Sequence, residues 1–149
     1  RKGFEMLINE GISKANQFSQ MIEASEDFEL TTKPELNLLT YRYVPAEARK
    51  LFQLPNEKVV RKTIELLSEL TVNIQKTQRD RRKTFVSRTT FEVPSHNYQK
   101  LTVFRVVLAN PLTTSQVFID VLEEQKSIAQ EEMIRMNFSE KMTLIQKFT

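Results

Sequence analysis

Residues 101–125 read LTVFRVVLANPLTTSQVFIDVLEEQ, and this stretch decides the fold class. Leu101–Leu108 is apolar on both faces except at Arg105, the pattern of a strand held in the middle of a sheet. Asn110-Pro111 breaks the run, because proline has no N–H to give to a ladder. Thr113 and Gln116 have capping-box spacing, and Val117, Phe118, Val121, Leu122 and Ile128 then recur at helical intervals. The spacing predicts a helix over 114–132, entered from a central strand through a polar turn.

Working outward, the period switches several times between 3.6 and 2. Phe4, Leu7, Ile8, Ile12, Ala15, Phe18 and Ile22 predict an amphipathic leading helix over 2–25. Phe28–Thr32 and Leu36–Val44 read as two strands of a hairpin, with the turn at Lys33-Pro34 and a stop at Pro45. A polar connection bounded by Pro45 and Pro55 leads to Asn56, a good cap for a long helix carrying Val59, Val60, Ile64, Leu67, Leu70, Val72 and Ile74. The basic run Lys76–Lys83 closes that helix, and Thr84–Val93 reads as a third strand. Met133, Met136, Phe138, Met142, Ile145 and Phe148 mark a tail, residues 133–149, that is partly helical. Residues 1–132 then make one α+β domain, a mostly antiparallel four-stranded sheet with helices packed on one face.

Composition removes several chemistries. The 149 residues include no Cys, one His and two Gly. Cysteine-based metal sites, thiol nucleophiles and multi-histidine centres are therefore excluded within this chain. Gly3 and Gly11 both fall in the leading helix, so no Gly-rich turn is left to cradle a phosphate. Lack of Cys fits a reducing, cytoplasmic setting, and no apolar run reaches the length of a membrane span. The chain opens on Arg1 with a helical pattern running by Phe4, which reads as a piece of something longer.

The net charge of +3 is unevenly spread, since residues 44–90 hold eleven bases and five acids. The run at 76–83, with Lys76, Arg79, Arg81, Arg82 and Lys83, reads either as an anion or nucleic-acid patch or as a solvated helix end that complements the helix dipole. It lacks the interleaved aromatics of single-strand binders. His96 stands in a polar loop with no second histidine, and reads as a surface residue rather than an acid or base. Glu123-Glu124 and Glu131-Glu132 read as solubilising charges. Arg105 stands apart: a guanidinium in an apolar strand is either paired internally, turned to water, or a fork for a ligand carboxylate.

Phe104-Arg105-Val106-Val107-Leu108-Ala109-Asn110-Pro111, with Thr113-Thr114 and the helix through Glu123-Glu124, resembles the C-terminal signature of the group II pyridoxal-phosphate-dependent amino-acid decarboxylases. Gly3-Phe4, Phe28-Glu29-Leu30, Pro34-Glu35-Leu36-Asn37 and Tyr41-Arg42-Tyr43-Val44-Pro45 resemble the same family in order and spacing. The phrasing around Leu36–Pro45 and Ser87-Arg88-Thr89-Thr90 is most similar to bacterial aspartate 1-decarboxylases and diaminobutyrate decarboxylases. The resemblance implies the small C-terminal domain of a homodimeric enzyme whose N-terminal large domain holds pyridoxal phosphate through a lysine. It implies no catalytic residue in this chain, no cofactor contact, no metal, and one substrate-binding residue, Arg105, which takes a carboxylate of the amino-acid substrate. It does not choose among aspartate, glutamate and diaminobutyrate. The alternative reading is a non-catalytic α+β module that binds anions or nucleic acid through residues 76–83.

Overall fold

The computed structural model describes residues 2–93, 99–108 and 113–147, with only the backbone described for 2–8 and 93. The loop around His96 and the Asn110-Pro111 turn lie outside the described residues. The elements in order are α1 (Lys2–Ala24), β1 (Phe28–Glu35), β2 (Leu38–Tyr43), α2 (Ala46–Phe52), α3 (Glu57–Arg81), β3 (Ser87–Val93), β4 (Gln99–Val107), α4 (Ser115–Arg135) and α5 (Phe138–Gln146). The four strands form one antiparallel sheet of order β1-β2-β4-β3, so the two hairpins are joined through their second strands. This is the expected α+β class, and β4 is central as its apolar composition requires.

Strand alternation separates the faces of the sheet. Tyr41 on β2 and Phe104 on β4 stand opposite each other with rings 5.2 Å apart. Phe18 of α1, Phe28 of β1 and Phe118 of α4 complete an aromatic cluster, several of its contacts edge-on as the ring quadrupoles prefer. Leu66, Leu67, Leu70 and Ile74 of α3 and Phe138, Met142 and Ile145 of α5 extend this core. The tail at 133–149 is therefore packed helix over the described part, with its apolar stripe inward.

Several local expectations are corrected. The hairpin turns at Leu36-Asn37, not Lys33-Pro34. Pro34 lies inside β1, where it is tolerated because β1 is an edge strand and the pairing is irregular between Thr32 and Glu35. The two-residue turn needs a positive φ, and Leu36 supplies it at 55°, an uncommon conformation for a bulky side chain. The Pro-bounded connection contains a short helix, α2, whose Ala48 and Leu51 are buried. Asn56 caps α3 as expected, its Oδ1 accepting from the backbone N–H groups of Lys58 and Val59. The capping box is not formed: the N-cap of α4 is Thr114, without a side-chain cap bond, and Gln116 donates instead to Asp120. Gly11 is required by a close approach, since a Cβ there would stand 2.7 Å from the carbonyl oxygen of Leu108 and 3.2 Å from Asn37 Cβ.

Candidate functional site

Arg105 lies on the sheet face opposite Phe104, directly between Thr40 of β2 and Ser87 of β3. Val103 shares that face by alternation and is covered, packed in a cluster with Ile64 and Leu101 against Phe52, Val60 and Phe91. Two residues along, the cover ends and Arg105 is exposed. Its guanidinium makes no ion pair or hydrogen bond among the described residues. Of the three outcomes open from the sequence, internal pairing is thus absent among the described residues, and the side chain is presented to the outside from a central strand rather than an edge.

The hydroxyls beside Arg105 are already engaged. Thr40 Oγ1 lies 2.7 Å from both Thr31 Oγ1 and Thr32 Oγ1, and Ser87 Oγ donates to the backbone oxygen of Arg105 at 3.0 Å. Beyond them the surface turns apolar, with Val107 49% and Phe85 67% exposed. The arrangement offers one unpaired planar cation, suited to a bidentate contact with a carboxylate.

The buried arginine of the sheet is a different one. Arg42 is only 7% exposed, pairs with Glu29 Oε1 at 2.9 Å, and lies 5.0 Å from the centre of the Phe52 ring. Its Nε and Nη1 are buried without hydrogen-bond partners. Glu29 stands directly opposite on β1, so the pair is a cross-strand one. Sequence reasoning missed this residue. The available signal was the alternation Leu39, Tyr41, Tyr43 against Thr40 and Arg42, which puts Arg42 on the same face as Arg105.

Behind the sheet runs a buried polar chain. Tyr41 Oη donates to Gln125 Oε1 (2.6 Å), Gln125 Nε2 to Gln78 Oε1 (3.1 Å), Gln78 Nε2 to Thr84 Oγ1 (2.8 Å), and Thr84 Oγ1 to Glu124 Oε1 (2.8 Å). Burial holds the Tyr41 phenol protonated by raising its pKa far above the ordinary value, with the Gln125 bond opposing only in part. Tyr43 is also raised, by desolvation first and then by the Asp27 carboxylate. Lys126, paired with Asp27 at 2.8 Å, is raised by that bond.

The acidic pairs are not mere solubilising charges. Glu132 is 3% exposed, accepts from Thr77 Oγ1 at 2.9 Å and pairs with Arg135 at 3.0 Å. Glu131 pairs with Arg81, and Arg79 lies near Asp80. The basic run therefore meets carboxylates of α4, and Arg81 and Lys83 line a groove shared with Asp120, Glu123 and Glu124.

The described residues do not by themselves fit pyridoxal phosphate. No lysine is buried to form a Schiff base, no aspartate is buried to face a pyridine nitrogen, and both glycines lie in α1. No group of three metal-ligating side chains occurs among the described residues, and none of their helices is long and apolar enough to cross a membrane.

No family model matches the chain. It is 48% identical over 129 residues, 87% of its length, to an aspartate 1-decarboxylase of Aliivibrio fischeri, of which it spans 24%. Among solved structures it resembles mouse CSAD in apo form, with a TM-score of 0.71 and 19% identity over 87% of this chain and 25% of that one. It also resembles the glutamate decarboxylase domain of the diaminobutyrate-pyruvate transaminase and L-2,4-diaminobutyrate decarboxylase from Vibrio parahaemolyticus, with a TM-score of 0.61 and 17% identity over 84% and 22%. It resembles Oryza sativa TDC with PLP and tryptamine as well, with a TM-score of 0.55 and 20% identity over 86% and 23%. The chain thus spans about a quarter of the length of these relatives, and at such identities the structures share its fold.

Proposed function

We propose that this chain is the C-terminal small domain of a pyridoxal-phosphate-dependent decarboxylase, and that Arg105 binds a carboxylate of its acidic amino-acid substrate. The observation that carries the reading is the unpaired guanidinium of Arg105, held out from a central strand between two neighbours whose hydroxyls are used elsewhere. The 48% identity to an aspartate 1-decarboxylase supports aspartate as substrate. Pyridoxal phosphate, which the described residues do not hold by themselves, would when bound supply an electron sink for loss of the substrate carboxylate as carbon dioxide.

The contribution of this chain is positioning. A guanidinium fixed on a four-stranded sheet holds one end of the substrate in place, and orientation of this kind lowers the barrier without chemical participation. Arg105→Lys keeps the charge and loses the planar fork. One charge-assisted bond is worth about 1.5–3 kcal/mol, so kcat/KM of the full-length protein for aspartate should fall about ten- to hundredfold. Wild-type kinetics in that variant would remove Arg105 from the site.

A further inference from the structure

Resting on the carboxylate-binding reading of Arg105, we propose that Phe85 and Val107 form an apolar wall that contacts the hydrocarbon part of the ligand and so sets the chain length accepted there. Ser87, the first residue of β3, pairs with Arg105; Val107 ends β4 two residues beyond Arg105, and Phe85 lies two residues before Ser87, just ahead of the strand, where an extension of the antiparallel register would set it opposite Val107. On that register Phe85 is diagonal to Arg105, and diagonal neighbours on one face are about 7–8 Å apart, within reach of long side chains.

Phe85 is a presented residue rather than a loose one. Val86 beside it is 5% exposed and anchored in the main core, and Thr84 on its other side is tied to Gln78 and Glu124. Val86 is buried in the core that holds Phe104, so where the backbone leading into β3 is extended, Phe85 beside it is turned to the opposite face, that of Arg105. Phe85, 67% exposed, and Val107, 49% exposed, leave two large apolar side chains uncovered at this end of the sheet. Thr40 and Ser87 have their hydroxyls engaged, so the surroundings select for a carboxylate on a short methylene chain rather than for a polyhydroxylated anion.

The test measures inhibition constants of malonate and glutarate, with one and three methylenes, on the full-length protein. Each methylene transferred to an apolar contact is worth up to about fourfold in affinity. Phe85→Ala should weaken glutarate at least about fourfold more than malonate, and Phe85→Leu should restore most of the difference. Val107→Thr keeps the side-chain shape and should shift the ratio in the same direction, which decides the matter if Phe85→Ala does not fold. Equal losses for both acids, or none, would overturn the wall. Arg105→Gln separates the two claims: if it leaves malonate binding unchanged, the carboxylate site itself fails, whatever Phe85 does.

Discussion

The hydroxyl of Tyr41 on β2 donates to Oε1 of Gln125 on α4 at 2.6 Å, with both side chains fully buried. This bond starts the polar chain that leaves the core through Gln78 and Thr84 and ends on Glu124. It links the strand beside Arg105 to two helices and to the segment that leads into β3. A fully satisfied network of this kind specifies one arrangement of the elements it joins.

Gln125→Leu fits the space but strands the Tyr41 hydroxyl and the Gln78 carbonyl oxygen. An unsatisfied buried group costs about 1–3 kcal/mol, so the variant should lose about 2–4 kcal/mol in urea unfolding. Tyr41→Phe removes the donor alone and should lose less. A Gln125→Leu protein as stable as the parent would show that the chain of bonds contributes nothing net.

Arg42 invites the opposite expectation. Two of its nitrogens are buried without partners among the described residues, while Glu29, with 37% of its side chain exposed, stays hydrated when the arginine is replaced by an apolar side chain. Arg42→Met should therefore change stability by less than about 1 kcal/mol in either direction. Glu29→Ala leaves the guanidinium buried without a counter-charge and should be destabilising by about 2–4 kcal/mol. The order of the two variants in a denaturant melt is the measurement, and a reversed order would refute it.

Tyr41 and Tyr43 give the stability a ceiling in base. Both pKa values are raised above the ordinary 10.0 by burial. The folded state therefore holds these protons where the unfolded chain releases them, so their contribution is complete below about pH 10 and declines as pH rises beyond it. Unfolding followed by circular dichroism should coincide with the rise of tyrosinate absorbance for these two residues. Tyrosinate signals from all three tyrosines well before structure is lost would contradict this.

Much of the fold was legible from periodicity. The run Leu101–Leu108, apolar on both faces, identified a central strand, and Ala15, Phe18 and Ile22 of α1, Leu67, Leu70 and Ile74 of α3 and Phe118, Val121 and Ile128 of α4 lie in the core where their spacing put them, whereas Val117 is exposed. What escaped was decided by tertiary context. A proline inside β1 is allowed only because that strand is an edge, and Leu36 adopts a left-handed φ because a two-residue turn demands one. Glu132 looks like any surface acid until Thr77 and Arg135 close over it. At the candidate site, composition marked Arg105 as an anomaly, but its freedom from partners depends on where the cover of Phe52 and Val60 stops. Phe52 also covers Arg42, whose face the alternation in β2 shows but whose burial depends on that cover.

The joining of the hairpins through β2 and β4 makes the centre of the sheet a long-range pairing. Each hairpin closes over a short stretch of chain, but the central pairing of Thr40 with Arg105 must wait until α2, α3 and β3 have all been made. Contacts of such long sequence separation form late, because the entropy of loop closure is lost before they reward it. The inner edge of β2 therefore has no partner in the sheet until β4 has been synthesised, and the surface that presents Arg105 is complete only once residues as far apart in sequence as Thr40 and Arg105 have paired.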